Sequence, residues 1–130
     1  HCSVRRQRQM CIRDRINVKE KNLDNYTLNW KDNFAITIVL AANGYPESYQ
    51  TGDEIEGLDQ VDNMDNVEIF HAGTKMIENK VVTSGGRVLN VNGYGEKLVD
   101  AKEKAYDLVK KINWPDYYYR KDIGWRALKD

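Results

Sequence analysis

One segment alone carries a helical period, and that sets the fold class. In GEKLVDAKEKAYDLVKKINW (95–114), Leu98, Ala101, Ala105, Leu108 and Ile112 recur at three- and four-residue spacing and mark one apolar face. Asp100 and Lys104 make an i,i+4 pair of favourable order, and Lys110 and Lys111 suit the negative C-terminal end. Pro115 is the expected stop. The rest reads as strand, turn or ordered loop. NYTLNW (25–30) and FAITIVLAA (34–42) are rich in β-branched and aromatic residues and flank a turn at WKDN. NGYPESYQTGDEI (43–55) is punctuated by glycine and proline and predicts an ordered loop, and IEGLDQV (55–61) a short strand or turn. NVEIFHAG (66–73) alternates like a strand, TKMIEN and KVVTSG form a hairpin around Glu78-Asn79, and GRVLNVNG (86–93) is the next strand. The tail YYYRKDIGWRAL (117–128) reads as extended. Five or six short strands with one helix predict an α+β domain. Its expected form is a small, mainly antiparallel β-sheet or barrel-like unit with one amphipathic helix in the C-terminal half.

A chain of 130 residues supports one modest domain. Its formal net charge is zero, so no global field argues for nucleic acid or an anionic membrane as a partner, but the average hides a split. Residues 1–15, HCSVRRQRQMCIRDR, hold five arginines and one acid, leaving 15 basic and 19 acidic residues in 16–130. The arm has no hydrophobic period and no turn logic. It resembles translated adaptor sequence at the ends of environmental assemblies. It is therefore set apart as a non-native-looking arm, and 16–130 is expected to be the tail of a longer chain. No apolar run approaches the roughly 18 residues that span a bilayer. Both cysteines, Cys2 and Cys11, lie in the arm, and a cysteine-free body fits a reducing compartment.

One histidine and no cysteine in the body leave no thiolate or imidazole cluster, so no metal site is expected there. No nucleophile–base pair stands out, and no catalytic residue is assigned. His71 is expected to pack or hydrogen-bond at a strand end. The tail's Arg120 and Asp122 predict a salt bridge, and Tyr117, Tyr118, Tyr119 and Trp125 predict packing. The stretch HAGTKMIENKVVTSGGRVLNV (71–91) offers more, because glycines stand beside two cations, Lys75 and Arg87. Arginine presents a planar fork that matches phosphate oxygens, and lysine a compact charge. Glycine lets backbone N–H groups approach an anion and can adopt the positive φ of an anion-binding nest. Spacing alone favours the plainer reading of a solvated hairpin lysine and a glycine turn.

GYPESYQTGDEIEGLD, VEIFHAGTK, VVTSGGRVLNV and YYYRKDIGWRAL occur in this order. Together they resemble the C-terminal domain of phosphoribosylamine–glycine ligase, also called glycinamide ribonucleotide synthetase, over residues 22–128. That family is an ATP-grasp ligase of de novo purine synthesis. It joins glycine to 5-phosphoribosylamine with formation of ADP and phosphate. The resemblance implies that 16–130 is the C-terminal domain and that it packs on upstream ATP-grasp domains. ATP and Mg2+ or Mn2+ would be held mostly by those domains, and this chain alone would be inactive. It places Lys75 of HAGTK and Arg87 of GGRVL on the substrate's 5′-phosphate, with Gly85, Gly86 and Thr74 in support. It also implies a cytoplasmic enzyme whose partners are small molecules, with neither nucleic acid nor membrane. A stand-alone binding module for a phosphorylated metabolite is the alternative. After GRVLNV the family continues with small residues, whereas here Asn92-Gly93-Tyr94-Gly95 stands, so Tyr94 bears on the helix entry.

Overall fold

β-Branched residues at alternate positions start the sheet. In the computed structural model of the chain, which describes residues 16, 18–21 and 31–128, FAITIVLA forms β1 (Phe34–Ala41). The chain divides into two compact units between residues 31 and 32. In the first, a helical turn is closed by Glu20 N–H to the Ile16 carbonyl at 2.9 Å and Lys21 N–H to that of Val18 at 3.2 Å. The arginine-rich arm and the strand expected at 25–30 lie outside the described residues.

The second unit holds β1, a 3-10 turn (Leu58–Asn63), β2 (Val67–His71), β3 (Thr74–Ile77), β4 (Lys80–Thr83), β5 (Arg87–Gly95), α1 (Leu98–Val109) and β6 (Tyr118–Tyr119). Four strands form one sheet in the order β2-β5-β1-β6, with every pairing antiparallel. β3 and β4 form a separate hairpin. The α+β class holds. The sheet is open, with β2 and β6 at its edges, so the barrel-like closure does not form. Glu78 and Asn79 both take positive φ, at 46° and 63°, the tight turn that matches strand twist in a hairpin. The segment at 55–61 enters the 3-10 turn, and the tail departs from the extended reading: only Tyr118–Tyr119 pairs, opposite Leu40 and Ala41, before the chain turns. No helix among the described residues is long and apolar enough to cross a membrane.

Helix α1 lies across β5, and glycine sets how closely. A Cβ at Gly93 would stand 2.2 Å from the Ala101 carbonyl oxygen and 2.6 Å from the Ala105 nitrogen. One at Gly95 would stand 2.8 Å from the Ala101 nitrogen. Strand alternation puts both glycines on the face that carries Val91 and Leu89, so the helix backbone rests on strand backbone. Ile36, Ile38 and Leu40 of β1 pair with Gly93, Val91 and Leu89 and join them beneath Ala105, Leu108, Val109 and Ile112 in one buried cluster. Tyr94 alternates away from this contact, its hydroxyl bonded to Glu68, so it does not crowd the helix entry.

The helix is shorter than its period suggests. Gly95 still pairs with Phe34, so the helix starts after Lys97. At the other end, Asn113 and Glu56 exchange backbone hydrogen bonds of 2.9 and 3.1 Å, which removes Asn113 from any helix before Pro115 is reached. The ion pair at the end of α1 is Lys110–Asp107, at 2.9 Å and exposed. Tyr106 ties the tail to the helix: its hydroxyl donates to the Arg120 carbonyl at 2.8 Å and accepts from Ile123 N–H at 3.1 Å. Arg120 grips Asp122 with two hydrogen bonds of 2.9 and 2.7 Å, as expected, which holds the Asp122 carboxyl below its usual range.

Two outcomes follow from this packing. Gly93→Ala should destabilise the fold by about 1–3 kcal/mol, read from the urea midpoint, because the contact it invades is backbone and cannot yield cheaply. Burial raises the phenol pKa of Tyr106 and Tyr117. Unfolded-state phenols, near pKa ~10, therefore ionise first, and stability present below that pH should fall as pH rises through it. Tyr106→Phe should lessen that alkaline fall and speed exchange of the Ile123 amide; an unchanged alkaline slope and exchange rate would contradict the assignment.

Candidate functional site

The two candidate cations come from different sheets, and backbone contact joins them. Lys75 lies on β3 and pairs with Val82, while Arg87 opens β5. Between the sheets stands Gly73. A Cβ there would sit 2.7 Å from the Arg87 carbonyl oxygen and 2.8 Å from the Gly85 Cα. The Ser84 N–H bonds the Gly73 carbonyl at 2.8 Å, and the Gly73 N–H bonds that of Val88 at 3.1 Å. Lys75 follows Gly73 by two residues, about 7 Å along an extended strand. The Gly73 joint thus links the backbone segments that carry the two cations.

A β-bulge decides which way Arg87 is presented. Leu40 pairs with Leu89, but the next residue, Ala41, pairs with Arg87, so Val88 is the extra residue. Without it, Arg87 would share the helix-covered face with Leu89, two positions on. The bulge turns it to the opposite face, where it is exposed, while Val88 is fully buried. The Val88 carbonyl accepts from both Ala72 N–H at 3.0 Å and Gly73 N–H at 3.1 Å, which ties the bulge to the entry of β3. Alternation read from the sequence does not reveal this extra residue.

The glycines have a steric reason. Gly73, Gly85 and Gly86 are not among the residues with positive φ, so this corner is not built as a nest of alternating handedness. They allow close approach instead: Gly85 packs on the Gly73 Cα, and a Cβ at Gly86 would stand 2.0 Å from the Tyr45 ring. The Thr74 hydroxyl lies 3.0 Å from His71 Nδ1, so His71 does bond at the strand end, and Thr74 is already engaged.

Charge separates these cations from their neighbour. Lys80, on the same hairpin, bonds Glu54 at 2.7 Å, which holds its ammonium above the usual range. Among the described residues the ion pairs are Lys80–Glu54, Lys110–Asp107 and Arg120–Asp122, and neither Lys75 nor Arg87 belongs to one. Both are exposed.

A family described as phosphoribosylglycinamide synthetase, C domain, matches residues 35–126. The chain belongs to this family. It is 44% identical over 107 residues to the phosphoribosylamine–glycine ligase of Brucella melitensis, covering 82% of this chain and 25% of that protein. It is 45% identical over 111 residues to the enzyme of that name from Escherichia coli O157:H7, covering 85% and 26%. The crystal structure of phosphoribosylamine–glycine ligase from Thermotoga maritima matches with a TM-score of 0.66 and 34% identity, over 82% of this chain and 26% of that one. The chain therefore spans about a quarter of the length of these relatives.

Two clefts among the described residues lie apart from these cations. One of about 570 Å3 is lined by Asp53, Glu54, Glu56 and Asp116 beside Trp114 and Tyr117. A second, of about 500 Å3, is lined by Glu96, Asp100, Glu103 and Asp107 among others. Carboxylates at these walls repel a phosphate, and neither cleft includes Lys75 or Arg87. Among the described residues no group of three or more His, Cys, Asp or Glu converges on a point that could hold a metal.

The joint at Gly73 is testable on its own. Gly73→Ala should lower stability by about 1–3 kcal/mol in a urea titration and shift the amide resonances of residues 84–88. Unchanged spectra there would mean that the two sheets do not touch at this point.

Proposed function

We propose that this chain is the C-terminal part of the ATP-dependent, ADP-forming ligase that joins glycine to 5-phosphoribosylamine in de novo purine biosynthesis. In this reading Lys75 and Arg87 form one wall of the site for the phosphate of phosphoribosylamine. The observation that carries it is the pair of exposed cations, neither in an ion pair among the described residues, held at one corner by the Gly73 joint in a C domain of this family.

The chemistry suits the residues. Arg87 can place two parallel N–H donors on phosphate oxygens, and Lys75 adds a point charge. Each such charged hydrogen bond contributes about 1.5–3 kcal/mol. Both groups are exposed in this chain, so further walls of the site would come from the rest of the enzyme. ATP and Mg2+ or Mn2+ belong, in this proposal, to the ATP-grasp domains that precede the C domain and pack on it. This chain then contributes substrate positioning, which lowers the entropic barrier to joining two reactants, and supplies no reacting group. Its substrates would be 5-phosphoribosylamine, glycine and ATP, with Gly85, Gly86 and Thr74 shaping the corner. We place the enzyme in the cytoplasm; the Arabidopsis thaliana relative, 45% identical over 109 residues, carries the name chloroplastic.

In the intact ligase, Arg87→Ala should raise the KM for phosphoribosylamine by about tenfold or more, the value of one charged hydrogen bond, and leave those for ATP and glycine near the parent. Lys75→Ala should act in the same direction. Equal rises for all three substrates would mark a folding defect and defeat the assignment.

A further inference from the structure

We infer that Tyr45 is a positioning residue for the two cations: its ring backs Gly86 and steadies the joint at which the strands bearing Lys75 and Arg87 touch. The inference rests on the phosphate reading above and deepens it by adding a residue from the GYPESY loop. The contact is direct. The Cα of Gly86 is so close to the ring that a Cβ would stand 2.0 Å from Cδ2 and 2.5 Å from Cε2 of Tyr45. Gly86 is the residue before Arg87, and Gly85 before it rests on the backbone of Gly73, two residues ahead of Lys75. The segment 85–86 is therefore held between an aromatic ring and a backbone. Moving the ring frees the link that fixes both cations.

The loop is built to hold that ring. Ala42 N–H bonds the Gly86 carbonyl at 2.8 Å, and Tyr45 N–H bonds the Ala42 carbonyl at 3.2 Å, so the turn carrying Tyr45 is anchored on Gly86 itself. Gly44 takes φ 85°, and a Cβ there would stand 2.1 Å from the Ser48 carbonyl, so the chain folds tightly behind the ring. Tyr49 meets Tyr45 edge-on, with centroids 5.9 Å apart and planes at 61°. Yet Tyr45 is 41% exposed and stands outside the buried apolar cluster. A ring that contributes little to the core and packs against the residue preceding Arg87 acts on position more than on stability.

The test uses the intact ligase and separates this inference from the one beneath it. Tyr45→Ala should raise the KM for phosphoribosylamine about tenfold, the scale expected when a binding group is displaced by a fraction of an ångström. The kcat, the KM values for ATP and glycine, and the thermal midpoint should stay near the parent. Tyr45→Phe should behave as the parent, because the ring and not the hydroxyl meets Gly86. Gly86→Ala alone should also raise that KM. The double variant should be no worse than Tyr45→Ala, since the vacated ring leaves room for the new Cβ. An unchanged KM in Tyr45→Ala, beside a raised one in Arg87→Ala, would overturn the positioning role alone. So would a double variant in which the two rises simply multiply. If Arg87→Ala leaves the constant unchanged, the phosphate reading fails and this inference falls with it.

Discussion

The fold depends on one close contact, the backbone of β5 against the backbone of α1. Gly93 and Gly95, spaced by the two-residue repeat of a strand, meet Ala101 and Ala105, spaced by one helical turn. Nothing larger than a Cβ stands between the two elements at this contact, so Leu108 and Val109 of α1, and Ile112 just past its end, can settle among Ile38, Leu40, Leu89 and Val91 of the central strands. Interiors packed this closely transmit a displaced atom rather than absorb it. A methyl at Gly93 would push the helix off the whole row of apolar residues below. Core and helix are therefore one object, and the sheet edges and hairpin are hung from it.

The candidate corner is hung from the same strand. β5 ends at the helix contact and begins at Arg87, and the single extra residue, Val88, turns Arg87 away from the core. Three glycines then let β3, β5 and the Tyr45 loop converge where Cβ atoms would collide. Glycine serves here by its lack of bulk and not by its freedom to reach positive φ. That difference matters chemically. A nest would offer an anion backbone groups alone, whereas under the proposed reading this corner would offer the side-chain cations Lys75 and Arg87.

Local signals reported the elements well and their ends poorly. Ala101, Ala105 and Leu108 of the period lie on the buried face of α1, with Leu98 half-buried and Ile112 buried just past its end, and the Glu78-Asn79 turn was legible from the strand patterns on either side of it. The ends of α1 were not legible, since Gly95 is claimed by Phe34 and Asn113 by Glu56, both distant in the chain. The tail failed for a similar reason. Its two-residue strand exists because β1 offers an edge and Tyr106 clamps the following turn, neither of which a local pattern records.

By itself the sequence determined the α+β class, the hairpin, the buried face of the helix and the pair Lys75 and Arg87 as the cations beside glycine. Those follow from periodicity and residue type, which act over a few neighbours. Only the tertiary structure decided that Lys80 is spent on Glu54, that Arg87 is flipped by a bulge to the open face, and that Gly73 and Tyr45 hold the joint between the cations. Each of these pairs residues 12 to 49 positions apart, and such pairings exist only once the sheets have formed. The order of four motifs spoke to the family; the geometry of one corner says how its residues could act together.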